Sequence, residues 1–280
     1  MPKFDTPEPI VAVIEVPAGH IVIHAGERAD TVVEVRPTDE SEDADLKVAE
    51  QARVEFEGGQ LSVRAPRSRL RSLVGRLPSV DVTIELPAGS RVDAKSWGHF
   101  RGEGRIGDAT FETAAGSIRL AQAGRLKLRT SAGDISVGLA SGHADLGTSS
   151  GKIRIGTVDG TAVAKTSNGD ITIGEVTGDA RLKSANGDIT VERALGSLEA
   201  TTAFGNVRIG EVVRSWAHIG TRFGELEIGI AEGTAAWLDV NSQHGMVRSD
   251  LDAVDGPGES TETVEVRART GYGDILIRRP

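Results

Sequence analysis

The chain has 280 residues, 35 of them glycine and none cysteine, so disulfides, thiol catalysis and thiolate metal sites are excluded. Hydrophobic residues make up 38%, aromatics 4% and charged residues 26%, with a net charge of −9. This balance excludes wholesale disorder. It also argues against a nucleic-acid partner, whose phosphates call for excess Lys and Arg.

The first residues carry acids and prolines in place of an apolar signal region. No run approaches 18 apolar residues, so no transmembrane segment is expected and the cytoplasm is the expected location. Residues 1–90 read as short strands over 10–16, 21–24, 31–35, 54–56, 61–63 and 80–86. Turn signals at Pro17-Ala18-Gly19, Gly58-Gly59 and Pro87-Ala88-Gly89 separate them. An acidic loop over 39–45 precedes a helical turn at 46–51. This part is expected to be an antiparallel β cap, because an uncovered solenoid end is an exposed sheet edge. Arg67, Arg69, Arg71 and Arg76 interleave with Leu70, Leu73, Val74 and Leu77. That segment reads as a solvated loop, or as an amphipathic contact for an acidic partner or membrane surface.

From 91 to 280 a phrase recurs: a small polar residue, Gly, a polar residue, then an apolar–x–apolar pair, as at 131–137, 167–173 and 185–191. Its glycines are Gly98, Gly116, Gly133, Gly151, Gly169, Gly187, Gly205, Gly224, Gly245 and Gly273, at gaps of 18, 17, 18, 18, 18, 18, 19, 21 and 28. A second series (Gly107, Gly124, Gly142, Gly160, Gly178, Gly196) keeps the same beat, and each member opens a stretch alternating in period two. Period two means strand. A unit of about 18 residues is too short for a βαβ crossover. It fits one coil of a three-sided β-solenoid, whose coils bury their faces only against neighbours. Aligned columns are nearly pure aliphatic: Ile118, Ile135, Ile153, Ile171, Ile189, Val207, and two residues on Leu120, Val137, Ile155, Ile173, Val191, Ile209. A column of Thr113, Thr130, Thr148, Thr166, Ser184 and Thr202 shares the parity of Leu126 and Leu128. It is expected to point inward as a self-satisfying hydroxyl ladder. The strand over 274–279 has no cap after it, so it reads as an open edge blunted by Arg278, Arg279 and Pro280.

Three features together carry a resemblance: the paired Val-Pro-Ala-Gly (16–19) and Leu-Pro-Ala-Gly (86–89), the hairpin over 58–63, and the ordered Gly-Asp-Ile phrases. The chain resembles the bacterial putative-adhesin family of β-strand-repeat proteins, largely of unknown function. The resemblance implies a right-handed, single-stranded parallel β-helix with a β cap, and it supplies no catalytic motif.

The candidate sites are few. The repeated Gly-Asp tempts a calcium reading, but the calcium nonapeptide needs a period of nine and a double glycine. Lys152 also interrupts the carboxylate series, and turn chemistry explains Asp after Gly. The six histidines show no metal spacing, and neither a nucleophile elbow nor a P-loop occurs. No cofactor is expected. A basic stripe of Arg125, Lys127, Arg129, Lys165, Arg181 and Lys183 faces Asp145, Asp179 and Glu199 across the coils. The scarce rings gather just before the column glycines: Trp97, then Phe204, Phe223 and Tyr272, with His244 between the last two in sequence. They are expected to stack one per coil, either stapling the last coils or forming an exposed strip that binds a partner.

The expected architecture is thus all-β: a cap over 1–90 and a three-sided solenoid with coils of about 18 residues over 91–280. The expected function is a non-catalytic, adhesin-like scaffold or binding module. It would present rigid faces to an unidentified macromolecule, a protein among the candidates, and act as a monomer or small homo-oligomer. A structural β-helix that joins end to end is the second reading, and a carbohydrate-active enzyme the third. Filaments would single out the second, and a pocket of clustered acids the third.

Overall fold

A computed structural model describes residues 1–66, 77–251, 256 and 262–280. The arginine-rich cluster at 67–76 lies outside the described residues. The chain runs β1 (Lys3–Asp5), β2 (Val11–Gly26), β3 (Asp30–Pro37), α1 (Asp43–Glu50), β4 (Arg53–Glu57), β5 (Gln60–Arg64), β6 (Val80–Pro87) and β7 (Arg91–Arg105). Strands then come in pairs, one pair per coil. They are β8 (Ala109–Ala115) and β9 (Ile118–Ala123), β10 (Leu126–Ala132) and β11 (Ile135–Ala140), β12 (Ala144–Ser150) and β13 (Ile153–Val158), β14 (Ala162–Asn168) and β15 (Ile171–Val176). After these come β16 (Ala180–Lys183) and β17 (Ile189–Ala194), β18 (Leu198–Thr201) and β19 (Val207–Val212), β20 (Ser215–Phe223) and β21 (Leu226–Ile230). The last pairs are β22 (Thr234–His244) and β23 (Val247–Ser249), then β24 (Glu262–Tyr272) and β25 (Ile275–Arg278). These residues form two compact units, Met1–Gly138 and Leu139–Pro280.

The regular coils follow the glycine beat. Equivalent strands pair in parallel with no slip, as in Ile153↔Ile171↔Ile189 and Ala162↔Ala180↔Leu198. In the second strand of a coil the buried positions are the first, third and sixth, as in Ile171, Ile173 and Val176. The skip at Gly174 is a third corner beside the two glycine corners, so each coil has three faces. The aliphatic columns are buried throughout these coils, and each Val, Leu or Ile contributes roughly 1.5–3 kcal/mol relative to exposure.

The threonine column points inward, but its members do not bond to one another. Its hydroxyls donate to the carbonyl of a column glycine one coil back, as in Thr130 to Gly116 (3.1 Å), Thr202 to Gly187 (3.0 Å), Thr221 to Gly205 (2.9 Å) and Thr270 to Gly224 (3.0 Å). The residue after the column glycine does the converse. Asp188 Oδ1 accepts the Asn206 N–H (2.7 Å), Asn206 Oδ1 the Glu225 N–H (2.8 Å), and Asp274 Oδ1 the Met246 N–H (2.8 Å). The Gly-Asp phrase is therefore a corner lock that satisfies backbone groups.

In the N-terminal unit the antiparallel pairs are β1–β3, β3–β6 and β4–β5. The Gly58-Gly59 turn (φ 57° and 78°) closes the β4–β5 hairpin. The same stretch also holds coils of the solenoid. β2 pairs in parallel with β7 along its length, and on its other side with β5 and β6. Pro17-Ala18-Gly19 is thus a coil corner within β2, with Gly19 opposite Gly98. The repeat is hidden because the coil from β5 and β6 follows β2 in sequence yet lies on the opposite side of it from β7. α1 lies against β3 and β6. Its buried Asp45 accepts the Ser79 N–H (2.8 Å) and hydroxyl (3.0 Å).

The C-terminal unit is also out of order. β24 pairs with β20 on one side and β22 on the other, and β25 lies likewise between β21 and β23. The spatial order of column glycines is Gly224, Gly273, Gly245. This overturns the expectation of an open edge at 274–279. β25 is paired on both sides, Arg278 Nε binds Glu227 (2.9 Å), and Arg279 Nη1 donates to the Thr234 carbonyl (3.1 Å). The outer coil is β22 and β23.

Ion pairs cross between coils on the outer faces, and they set an acid response. The Lys183 ammonium, then the Arg181 guanidinium, hold the Glu199 carboxyl below its ordinary 4.5. Lys152 does the same for Asp170, and Arg28 with Lys3 brings Asp30 from 3.8 to about 2. Carboxyls with lowered folded pKa stabilise the fold above their ordinary values and lose that contribution as they protonate. The thermal midpoint is therefore expected to fall by a few degrees as pH drops from about 4.5 towards 2. Glu199→Gln should flatten this slope in a melt series across pH.

Candidate functional site

The position before each column glycine stands outward at the corner, because the inward–outward alternation breaks after the threonine: in β14 Thr166 is buried, and Ser167 and Asn168 are both exposed. In the C-terminal unit this column reads Asn168, Asn186, Phe204, Phe223, Tyr272, His244 in space. The amides form a short ladder, with Asn186 Nδ2 donating to Asn168 Oδ1 at 2.9 Å. The rings then stack. Centroids are 5.0 Å apart from Phe204 to Phe223, with planes 4° apart, and 5.0 Å from Phe223 to Tyr272, with planes 5° apart. His244 closes the series at 4.5 Å and 17° from Tyr272.

Stacking follows from the coil spacing, which matches offset aromatic contact. The expected one-per-coil stack is present, with a corrected order: Tyr272, not His244, touches Phe223. The cause is the insertion of β24. The rings are not packed into a core, since Phe204 is 52% exposed, Phe223 40% and Tyr272 51%. Each ring covers its neighbour's face, so the surface shows a ridge of ring edges. Across the corner lies a shallow polar groove lined by Asp188, Asn206, Arg208, Glu225 and Glu227. Arg208 is paired there with Glu227 at 2.6 Å. Trp97 stands in the N-terminal unit, opposite Ala18.

The basic stripe divides between the units. Arg125 immediately precedes β10, Lys127 and Arg129 lie on it, and the Arg129 Nη1 donates to the Leu128 carbonyl (3.1 Å). Lys165 on β14 and Lys183 on β16 are register neighbours. Glu199 binds both Arg181 (2.7 Å) and Lys183 (2.9 Å). Two of the three cations in the C-terminal unit are thus matched by one carboxylate.

One grouping escaped the sequence reading. The register of β2 on β7 sets His20 opposite His99, rings 5.2 Å apart and edge-on. His99 Nδ1 accepts the Ser117 N–H at 3.0 Å. The only signal was the repeated Ala-Gly-His and Trp-Gly-His at 18–20 and 97–99, which becomes legible once β2 is seen as a coil. Among the described residues no three His, Asp or Glu side chains converge as a metal site would require. No helix among them is long and apolar enough to cross a membrane.

The family model for Toastrack DUF4097 matches residues 14–279. The chain belongs to that family. Solved structures similar to this Toastrack chain include a putative adhesin from Bacteroides fragilis, at 11% identity and TM-score 0.40, covering 99% of this chain and 95% of that one. Others are a putative lipid binding protein from Parabacteroides distasonis (13%, TM-score 0.45, 99% and 95% covered) and a putative adhesin from the same organism (12%, TM-score 0.39, 98% and 95% covered). No curated protein matches the Toastrack chain.

Proposed function

We propose that this chain is a non-catalytic binding module whose contact surface is the ring ridge Phe204–Phe223–Tyr272–His244. The observation that carries the reading is exposure together with order. Four rings are held nearly parallel on successive strands and all are exposed, the two phenylalanines and the tyrosine with about half of their surface left to solvent. Rings fixed by a rigid sheet lose little entropy on binding, and aromatic anchors supply much of the energy of protein interfaces. The polar groove beside the ridge adds Glu225 and Asp188 as acceptors. The partner is a macromolecule, a protein foremost, with apolar groups over the ridge and donors over the groove.

Phe223→Ala tests this at the middle of the stack. Binding to a partner captured from the native cell should fall at least tenfold while the chain stays folded, with the melt lowered by no more than about 10 °C, since Phe223 stacks on two rings, each contact is worth roughly 0.5–1.5 kcal/mol, and a kcal/mol is about 2–4 °C here. A large drop in the melt with undiminished binding would make the ridge a staple and sink the proposal.

A further inference from the structure

The outer coil of the C-terminal unit is paired on one side. β22 bonds to β24 and β23 to β25. Among the described residues no strand pairs with their other side. Among the described residues the core has no further strand over it there. Ile189, Val207, Leu226 and Ile275 are at most 1% exposed, and Val247, next in the same column, is 44% exposed. Leu238 and Val240 are half-buried where their partners Val266 and Ala268 are fully buried.

Proteins blunt such edges with short strands, charge or proline. The outer strands of the N-terminal unit do so: β1 has three residues including Lys3 and Asp5, and β4 has five including Arg53, Glu55 and Glu57. β22 does not. It has 11 residues, without Lys, Arg or Pro, and its one carboxylate, Asp239, is bound to Arg269 at 2.6 Å.

We propose that this edge is the interface of a symmetric dimer. β22 of one copy runs antiparallel to β22 of a second copy, with Leu238 opposite Leu238 on the twofold axis. The occupant is a second copy because the strand is complementary to its own reverse. On the inward side Leu238 is flanked by Ala236 and Thr234 one way and by Val240 and Ser242 the other. Antiparallel pairing sets Ala236 against Val240 and Thr234 against Ser242, small to large and hydroxyl to hydroxyl. On the outward side it sets Trp237, 58% exposed, against Asp239 with its bound Arg269, a guanidinium beside an indole. No like charges oppose. A slip of one residue would turn every inward side chain out. The pairing is isologous and closes on itself, and the short charged strands of the N-terminal unit give no second edge for a filament.

Sedimentation of the full chain over a concentration series is expected to show twice the chain mass. Leu238→Lys and Leu238→Glu alone should each sediment at half that value, and an equal mixture should restore the dimer by setting Lys against Glu. Because the chain has no cysteine, Leu238→Cys under mild oxidation should give a disulfide-linked dimer, whereas Asn241→Cys should not. This arm decides the matter if the charged variants fail to fold. A wild-type monomer at all concentrations overturns the proposal. Protected β22 amides in that monomer would show that the chain covers its own edge. Cross-linking through Asn241→Cys and not Leu238→Cys would point to a different interface and overturn it equally.

Discussion

Gly187→Ala is expected to cost more than about 3 kcal/mol, combining left-handed strain with steric overlap. At about 2–4 °C per kcal/mol for a chain this long, the thermal midpoint should fall by roughly 10 °C. Gly187 has φ 146°, and a β-carbon there would stand 2.1 Å from the Gly169 carbonyl oxygen and 2.5 Å from its carbon. Both are backbone atoms of the neighbouring coil, so no rotamer change relieves the clash. The matched control is Gly26→Ala, where no heavy atom lies within 4 Å and the change should be neutral in the same melt. Equal melts for the two variants would refute the corner geometry.

The second large effect is Ile171→Asp, expected to cost about 5 kcal/mol or more. The variant loses a buried aliphatic side chain and puts a carboxylate where no partner can reach it. Ile171 is fully buried between Ile153 and Ile189. One residue on, Thr172 stands half-exposed beside Arg154 on one coil and Thr190 on the next. Thr172→Asp should therefore stay within about 1 kcal/mol, since opposite charges across strands contribute roughly 0.2–1 kcal/mol. Urea unfolding of both variants checks the inward assignment, which fails if the two midpoints coincide.

The regular coils were legible because each must match the next: a residue that faces the core in one coil has an apolar counterpart 18 residues away. That pressure fixed the columns of Ile171 and Leu182 and the inward parity of Thr130. Its reach ended where spatial order departs from chain order. β2 belongs to the solenoid, yet the coil beside it comes from β5 and β6, about 50–60 residues later, so no period survives between them. The same departure reversed Tyr272 and His244. The ring column itself could be read, because ring scarcity made four occurrences in one position stand out. The exposure of the rings could not, since a corner residue has no counterpart that reports what lies outside it. The hydroxyl partners were missed for a related reason: a carbonyl acceptor leaves no trace in side-chain identity.

The insertion of β24 between β20 and β22 also bears on how the chain reaches this state. During synthesis β20 is complete, and its edge open, before the residues that will finally occupy that edge exist. β22 appears first, with the same alternation and its own corner glycine. It must either wait or take a provisional place on β20 and later give it up. In the N-terminal unit β2 is made before its partners on both sides, β5, β6 and β7, so both of its edges stay open until they follow. Translation and assembly therefore run in the same direction only through the middle coils.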